Sequence, residues 1–184
     1  MDVMEAILGR RSIRKYKPDA VSDKDLETVL EAARWAPSWA NTQCTRFVVV
    51  RDRETKAALS ATLSRGNPAT DAVVNAPVVI VACAKRGESG FYKGSATTDK
   101  GDWYMFDVAL AMANLTLAAQ ALGLGTVHVG LFDAQGVARI LAVPEEASVV
   151  SMTPLGYAAE PSRAPRRREL HDIVFHEKYG QAKA

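Results

Sequence analysis

The sequence has few of the residues on which small secreted proteins and metal-binding proteins depend. It contains two cysteines, Cys44 and Cys83, and three histidines among its 184 residues. Two cysteines are too few for a disulfide framework or a cysteine-based metal site. His128, His171 and His176 have no partners at metal-ligand spacing. We therefore expect no bound metal and a location in the reducing cytoplasm.

Several common catalytic motifs are missing as well. Gly123-Leu124-Gly125 with Gly130 has the wrong spacing for a dinucleotide fingerprint, and it follows a predicted helix instead of a strand. The sequence contains neither a P-loop nor the Gly-x-Ser-x-Gly nucleophile elbow. A catalyst without metal ligands or an obvious nucleophile suggests that a bound cofactor carries the reaction.

The sequence also lacks long uninterrupted apolar runs and an excess of charge of one sign. The N-terminus has no apolar signal core. The longest apolar stretch, residues 105–124, is interrupted by Asp107, Asn114 and Gln120, so we expect a buried helix and no membrane association. The 23 Lys and Arg residues nearly balance the 21 Asp and Glu residues, which argues against a basic nucleic-acid-binding module.

The composition that remains is that of one globular domain spanning residues 1–184, with 48% hydrophobic residues. Hydrophobic periodicity and capping residues predict helices at 3–8, 22–35, 52–63, 102–122, 133–141 and 169–175. Buried strands are predicted at 47–50, 78–84, 126–131 and 148–155. The helix at 102–122 is apolar almost all round, which places it at the domain centre or at a subunit interface. Residues 85–101 are long enough to form a lid or a binding loop.

Basic residues cluster near the N-terminus, in Arg10-Arg11-Ser12-Ile13-Arg14. Guanidinium groups present paired donors that match phosphate oxygens, and they stay charged at any working pH. A serine in the same turn adds a neutral donor. The cluster therefore indicates a site for a small phosphate; the alternative is a solvated basic patch.

A second candidate segment, residues 36–43, lies between a predicted helix and the first predicted strand. Its Asn41 and Gln43 can each donate and accept hydrogen bonds, which suits the edge of a heterocycle. Loops held at both ends by rigid elements often carry binding function. Alternatively, Ser38 and Asn41 satisfy the polar groups of their own turn.

These segments together resemble the nitroreductase-like FMN flavoproteins. The resemblance rests on Arg-Arg-Ser-x-Arg at 10–14, Ala-Pro-Ser-x-x-Asn-x-Gln at 36–43, Gly-Tyr-x-x-Glu-Pro at 156–161, the arginines at 166–168 and Glu-Lys-Tyr at 177–179. These motifs follow one another in the family's order along nearly the whole chain. The resemblance implies an α+β fold with a central, mostly antiparallel sheet flanked by helices. It also implies a homodimer with two FMN sites at the subunit interface and the long helix at that interface.

The resemblance implies these cofactor-binding residues: Arg10, Arg11, Ser12, Arg14, Pro37, Ser38, Asn41, His128, Val129, Gly130, Arg167 and Arg168. Arg10, Ser12 and Arg14 would contact the FMN phosphate, completed by one of the arginines at 166–168, with Arg167 as first choice. Arg11 would lie near the pyrimidine edge of the flavin or the ribityl chain.

Other positions implied by the resemblance lie around the flavin ring. Pro37, Ser38 and Asn41 would come from the other subunit. The backbone of Gly130 would meet the reactive flavin nitrogen. His128 would lie beside the ring, as a packing residue or as part of a proton path.

The implied activity is that of an FMN-dependent oxidoreductase that takes electrons from NADH or NADPH and reduces flat small-molecule acceptors, such as nitroaromatics or quinones, in a ping-pong reaction. The flavin would carry the chemistry, so no catalytic side chain is assigned. Alternatives are another reaction on the same fold, namely reductive dehalogenation, ene reduction or flavin breakdown, and a non-catalytic flavin carrier or phosphate-ligand binder.

One departure from the family's motifs and one variable region bear on which acceptor the protein reduces. Cys44 stands where many relatives have proline, and its thiol is either inert or open to electrophilic products. Four aromatic residues around the 85–103 region are either acceptor-pocket candidates or packing residues: Phe91, Tyr92, Trp103 and Tyr104.

Overall fold

A four-stranded antiparallel sheet forms the centre of the protein, which a computed structural model describes over residues 1–181. Its strands are β1 Thr45–Val50, β2 Val78–Lys85, β5 Gly125–Thr126 and β6 Ala147–Gly156, and a separate hairpin is made by β3 Phe91–Tyr92 and β4 Ser95–Ala96. The spatial order β1-β2-β6-β5 makes β1 and β5 the edge strands. The predicted α+β architecture is confirmed.

Helices cover both faces of the sheet: α1 Val3–Gly9, α2 Asp23–Arg34, α3 Arg53–Ala61, α4 Thr70–Asn75, α5 Tyr104–Ala121 and α6 Ala134–Ile140. Short 3-10 turns occupy Trp39–Asn41 and Leu170–Asp172. The side chains of Ser22, Asp52 and Asp133 accept hydrogen bonds from backbone N–H groups in the first turns of α2, α3 and α6. These three helices begin where their capping residues predict.

Two hydrophobic cores lie on opposite faces of the sheet, and β2 contributes to both. Val78 and Ile80 pack with the α2 and α5 side chains, including Leu115, whereas Val79 and Val81 pack with α3, α4 and α6. Because successive side chains of a strand point to opposite faces, a strand buried on both sides is a continuous apolar run. This explains why residues 78–84 lack alternation.

The structure differs from the sequence predictions in several places, among them the β3–β4 hairpin within residues 85–101. The short helix α4 was not predicted. Of the strand predicted at 126–131, only Thr126 pairs regularly within β5, and Val129 forms an isolated bridge to Met152. The helix predicted at 169–175 is only a single 3-10 turn.

The longest helix, α5, is buried along one face and open along the other. Val108, Met112 and Leu115 lie in the core, but Met105 and Phe106 remain more than half exposed. The neighbouring α1 also exposes apolar side chains: Val3, Met4, Ile7 and Leu8. Exposed apolar side chains therefore lie on both α1 and α5. Within residues 1–181, no helix combines the length and hydropathy needed to cross a bilayer.

Candidate cofactor-binding site

The arginine-rich segment is held against the edge of the sheet by its backbone. The Ile13 N–H donates to the Thr126 carbonyl at 2.9 Å, and Ser12 forms a parallel bridge with Thr126. Gly125 permits this approach, because a Cβ at that position would lie 2.6 Å from the Ile13 Cγ1. The chain between Arg10 and Arg14 therefore has a fixed position relative to β5.

Tyr16 fixes the other end of this segment. Its hydroxyl donates to the Ile13 carbonyl at 2.8 Å and lies 3.2 Å from the Pro154 carbonyl. Burial raises the pKa of the Tyr16 phenol, against the opposing effect of the Arg14 charge, so the hydroxyl remains a donor. Backbone hydrogen bonds from Lys17 to Tyr157 and from Ala159 to Lys15 complete the attachment.

A cavity of about 360 Å³ opens beside this segment and is bounded on its far side by the C-terminal tail. It is lined by Arg10, Arg11, Ser12, Arg14, Ser162, Arg163, Pro165 and Arg167. None of these arginines forms an ion pair with a carboxylate in the described part of the chain. We name it the arginine cavity.

The residues of the arginine cavity fit a phosphate ester. Among residues 1–181, the Ser12 hydroxyl makes no hydrogen bond, and Arg14 donates only to the Ser12 carbonyl, at 3.4 Å. Arg11 is more restrained, because its Nη1 donates to the carbonyls of Leu8, at 2.6 Å, and Arg10, at 2.8 Å. A concave surface with several unpaired guanidinium groups and a free hydroxyl can neutralise and orient a dianion.

The structure selects among the arginines of the C-terminal tail. Arg167, the first choice from the sequence, lines the arginine cavity, whereas Arg166 and Arg168 do not. Arg163 also lines it and was not assigned a role from the sequence. It belongs to the same basic cluster, but its pairing with the N-terminal segment depends on the path of residues 159–165.

The chain after β5 presents alternate residues to the site. Val127 and Val129 are buried in the core, and Val129 exchanges both backbone hydrogen bonds with Met152 at 2.8 and 3.0 Å. His128 and Gly130 therefore face outward, and a Cβ at Gly130 would meet no atom within 4 Å. A flat ligand could approach the backbone here. The contact predicted for Val129 stays a prediction.

The charge of the arginine cavity affects the pKa of His128. Loss of surrounding water, together with the positive charge of Arg10, lowers the pKa of His128 below its usual value. The imidazole is therefore neutral at pH 7, and it can offer one donor and one acceptor to a ligand.

The segment Ser38–Gln43, which we call the Ser38 loop, lies apart from the arginine cavity in the same chain. Pro37 and Ser38 line a different groove of about 400 Å³, between α2 and β1. The Ser38 Oγ accepts from the Gln43 N–H at 2.9 Å, as expected if it satisfies its own turn. Asn41 is exposed, and its side-chain amide makes no hydrogen bond within residues 1–181.

The Ser38 loop has an unusual backbone. Ala40, Asn41 and Gln43 have φ values of 44°, 56° and 51°, in the left-handed region. This conformation costs roughly 1–2 kcal/mol per residue for non-glycine residues, so the surrounding contacts must hold it. This backbone conformation was not predictable from the sequence, because only Asn41 is a residue that adopts it readily.

Cys44 follows the Ser38 loop and is completely buried. Its thiol donates to the Asp107 Oδ2 at 3.5 Å. Burial, reinforced by the negative charge of Asp107, raises the pKa of Cys44 to about 12. The thiol is therefore protonated and inaccessible, which matches the inert alternative.

The aromatic residues of the 85–103 region do not gather around either candidate segment. The Trp103 Nε1 donates to the Thr98 Oγ1 at 2.8 Å, and its ring packs edge-on against Phe106 at 5.5 Å. Tyr92 is exposed on the β3–β4 hairpin, and Tyr104 lines a groove beside α6. Within one chain, Trp103 has a packing role.

Comparison with known proteins gives a consistent result. The family model described as "Nitroreductase family" matches residues 7–157. The chain is 32% identical over 201 residues to an NADH dehydrogenase of Thermus thermophilus, covering 95% of this chain and 96% of that protein. It is 29% identical over 191 residues to an FMN reductase [NAD(P)H] of Bacillus subtilis, covering 96% of this chain and 73% of that protein.

A structural relative gives the same assignment. The FMN-dependent nitroreductase of Clostridium difficile R20291 superposes with a TM-score of 0.80 at 27% identity, covering 96% of this chain and 99% of that one. The matched segment includes the N-terminal arginine cluster, the Ser38 loop and the strand that leads to Gly130. The chain therefore belongs to the nitroreductase family.

Proposed function

We propose that this protein is an FMN-dependent NAD(P)H oxidoreductase that reduces flat electrophilic acceptors, of the nitroaromatic or quinone type, by a ping-pong mechanism. The observation that carries the proposal is the arginine cavity, whose arginines form no ion pair with a carboxylate in the described chain. The charge of Arg10 acts on His128, two residues before the open backbone at Gly130. One end of this site suits a phosphate dianion, and the other admits a flat ring.

The residues divide the work of holding the cofactor. Arg10, Arg14 and Arg167 neutralise the phosphate, and the Ser12 hydroxyl donates to it. Because Arg10, Ser12 and Arg14 lie on a backbone segment attached to β5, little reorganisation of these three residues is needed when the anion binds. These residues would hold FMN, which would supply the hydride and electron transfer between the nicotinamide and the acceptor.

Two further side chains, His128 and Arg11, set the charge around the ring. Loss of surrounding water, together with the charge of Arg10, lowers the pKa of His128, so this residue adds no positive charge of its own. Arg11, held by the Leu8 and Arg10 carbonyls, places a fixed positive charge near the ring edge. A positive charge at that position stabilises an anionic reduced ring.

A homodimer belongs to this proposal. Six large apolar side chains are exposed on α1 and α5, and clustered exposed apolar residues are typical of protein–protein interfaces. The Ser38 loop, predicted to line the flavin, lies apart from the arginine cavity in one chain. Pairing two chains through α1 and α5 would bring Pro37, Ser38 and Asn41 of one subunit to the flavin bound by the other.

The cytoplasm is the location that we infer. The protein uses reduced nicotinamides, and both of its cysteines are free and buried. Neither cysteine contributes to a disulfide, as expected in a reducing compartment.

The first test is the visible absorbance spectrum of the purified protein, followed by identification of the released cofactor by mass and anaerobic addition of NAD(P)H. A yellow protein that releases FMN and bleaches with the nicotinamide supports the proposal. A yellow protein that does not bleach would point instead to a flavin carrier or to flavin breakdown. A colourless protein that takes up no added FMN contradicts the proposal.

A further inference from the structure

Asp107 is a buried carboxylate that the site described so far does not use. It is 1% exposed and lies in the first turn of α5. No basic side chain forms an ion pair with it among the described residues. Burying an unpaired carboxylate is unfavourable, although the N-terminal end of a long helix offsets part of the cost. The unfavourable burial of the Asp107 carboxylate indicates that this residue has a structural or functional role.

The contacts of Asp107 point to the Ser38 loop. Its Oδ1 accepts a hydrogen bond from the Trp39 N–H at 3.0 Å, and its Oδ2 accepts from the Cys44 thiol at 3.5 Å. These contacts span 68 and 63 residues of sequence. One carboxylate therefore ties both ends of the Ser38 loop to the long central helix.

The other hydrogen bonds of this loop are local. Within the described chain, those from Trp39 to Gln43 connect residues 38–46 to one another, including the Gln43 N–H to the Ser38 Oγ and Arg46 to the Gln43 carbonyl. Local bonds define a turn but do not fix it relative to the core. The Cys44 carbonyl accepts from the Lys85 N–H at 3.0 Å, which fixes the end of the loop at β1, and the bond from the Trp39 N–H to Asp107 fixes the strained residues before it.

We propose that Asp107 is a positioning residue for FMN binding, acting through the Trp39 N–H to hold Ser38 and Asn41 in place. This inference rests on the proposed function, in which those two residues line the flavin of the partner subunit. With its Oγ accepting from Gln43, Ser38 keeps its hydroxyl proton for a ligand. The Asn41 amide is likewise available, so the loop presents its donors only while its conformation is held.

The test compares two substitutions at this position in the full-length protein. Asp107→Ala removes the acceptor, and FMN should bind the apoprotein about tenfold more weakly or worse. Asp107→Asn keeps an oxygen for the Trp39 N–H and should rescue FMN affinity to within about threefold of wild type. Fluorescence titration of FMN gives the affinities, and visible circular dichroism of the bound flavin reports its surroundings.

A matched control separates positioning from stability. Asp52→Ala removes a capping carboxylate from α3, far from the Ser38 loop, and should lower the melting temperature without changing FMN affinity or the flavin dichroism. If Asp107→Ala has wild-type FMN affinity and dichroism, the inference is wrong while the proposed function stands. If the wild-type protein binds no FMN, both fail.

A second variant and a measurement on the wild type cover the case of poor folding. Asp107→Leu is close in size, lacks the acceptor and should weaken FMN binding as Asp107→Ala does. In the wild-type apoprotein, the Trp39 amide should exchange its hydrogen slowly. Exchange of this amide at the rate of an unprotected peptide group would overturn the inference without any variant.

Discussion

At the level of single side chains, the arginines of the cavity are not equivalent. Arg11 already donates to two backbone carbonyls, whereas Arg14 is exposed and makes one long contact to the Ser12 carbonyl. An anion that binds to Arg14 therefore displaces little, because no competing partner is lost. Arg14 should contribute more to phosphate affinity than Arg11.

Arg14→Ala should accordingly weaken FMN binding by about 1.5–3 kcal/mol, the range for hydrogen bonds to charged groups. The physical reason is loss of a charge-assisted contact to the phosphate dianion. Isothermal titration of the apoprotein with FMN measures the change. Arg53→Ala, an exposed arginine on α3, is the control and should bind FMN normally. Unchanged affinity in Arg14→Ala would remove this residue from the site.

A second prediction at this scale concerns the charge of His128. NMR titration should find its pKa below the model-compound value of about 6.5. Arg10→Ala should raise it, because one of the two causes of the shift is the Arg10 charge. Arg53→Ala should leave it unchanged. An unshifted His128 in the wild type, or a pKa insensitive to Arg10, would contradict the structure.

The same shift has a consequence for stability, with a definite sign. The folded state holds His128 neutral, so below the usual histidine pKa the unfolded chain binds more protons. The contribution of His128 to the free energy of unfolding is therefore present above about pH 6.5 and declines as the pH falls below that value.

At the level of elements, the helices depend on their caps. The Ser22 Oγ accepts from the Asp25 N–H at 3.0 Å and donates to the Asp25 carboxylate at 2.8 Å. Ser22→Ala should lower the free energy of unfolding by about 1 kcal/mol. Urea denaturation followed by circular dichroism measures this. Ser64→Ala, an exposed serine that caps no helix, should change stability little; equal effects of the two substitutions would argue against the cap.

The elements that the sequence predicts best carry such local signals. Ser22, Asp52 and Asp133 each mark the start of a helix, and the apolar run at 78–84 marks a central strand. The helix α4 was not predicted, because its N-cap residue, Ala69, has no side chain that could cap the helix. The strand predicted at 126–131 is interrupted after Thr126: Val129 makes an isolated bridge to Met152, and the Leu131 carbonyl accepts from the Asn67 side chain. No local pattern in the sequence reveals these long-range contacts.

At the scale of the whole molecule, the sequence could predict which residues are suited to a site better than where they meet. Arg10, Arg11, Ser12 and Arg14 line one cavity with Arg167 of the C-terminal tail. The role of Asp107 was not predictable, because it depends on a contact with Trp39 across 68 residues. Within one chain, the Ser38 loop and the arginine cavity lie apart.

A dimer through α1 and α5 should be sensitive to charge on α1. The double substitution Met4→Glu and Leu8→Glu places carboxylates on two exposed apolar positions and should give monomers by sedimentation velocity. It should also reduce FMN binding, because each site would lose the partner's Ser38 loop. Lys24→Glu, on the exposed side of α2, should remain dimeric. Dimers that persist in the α1 double variant would place the interface elsewhere.

The two cysteines bear on how long such a protein would remain active. Cys44 is fully buried and Cys83 nearly so, and burial raises their pKa values to about 12 and about 11. Thiolates are the forms that alkylating agents and peroxides attack. An oxidoreductase that handles quinones and meets oxygen produces such reagents beside its own polypeptide. With both sulfurs protonated and inaccessible, the folded protein should tolerate its own products, and inactivation by thiol reagents should follow the rate of unfolding.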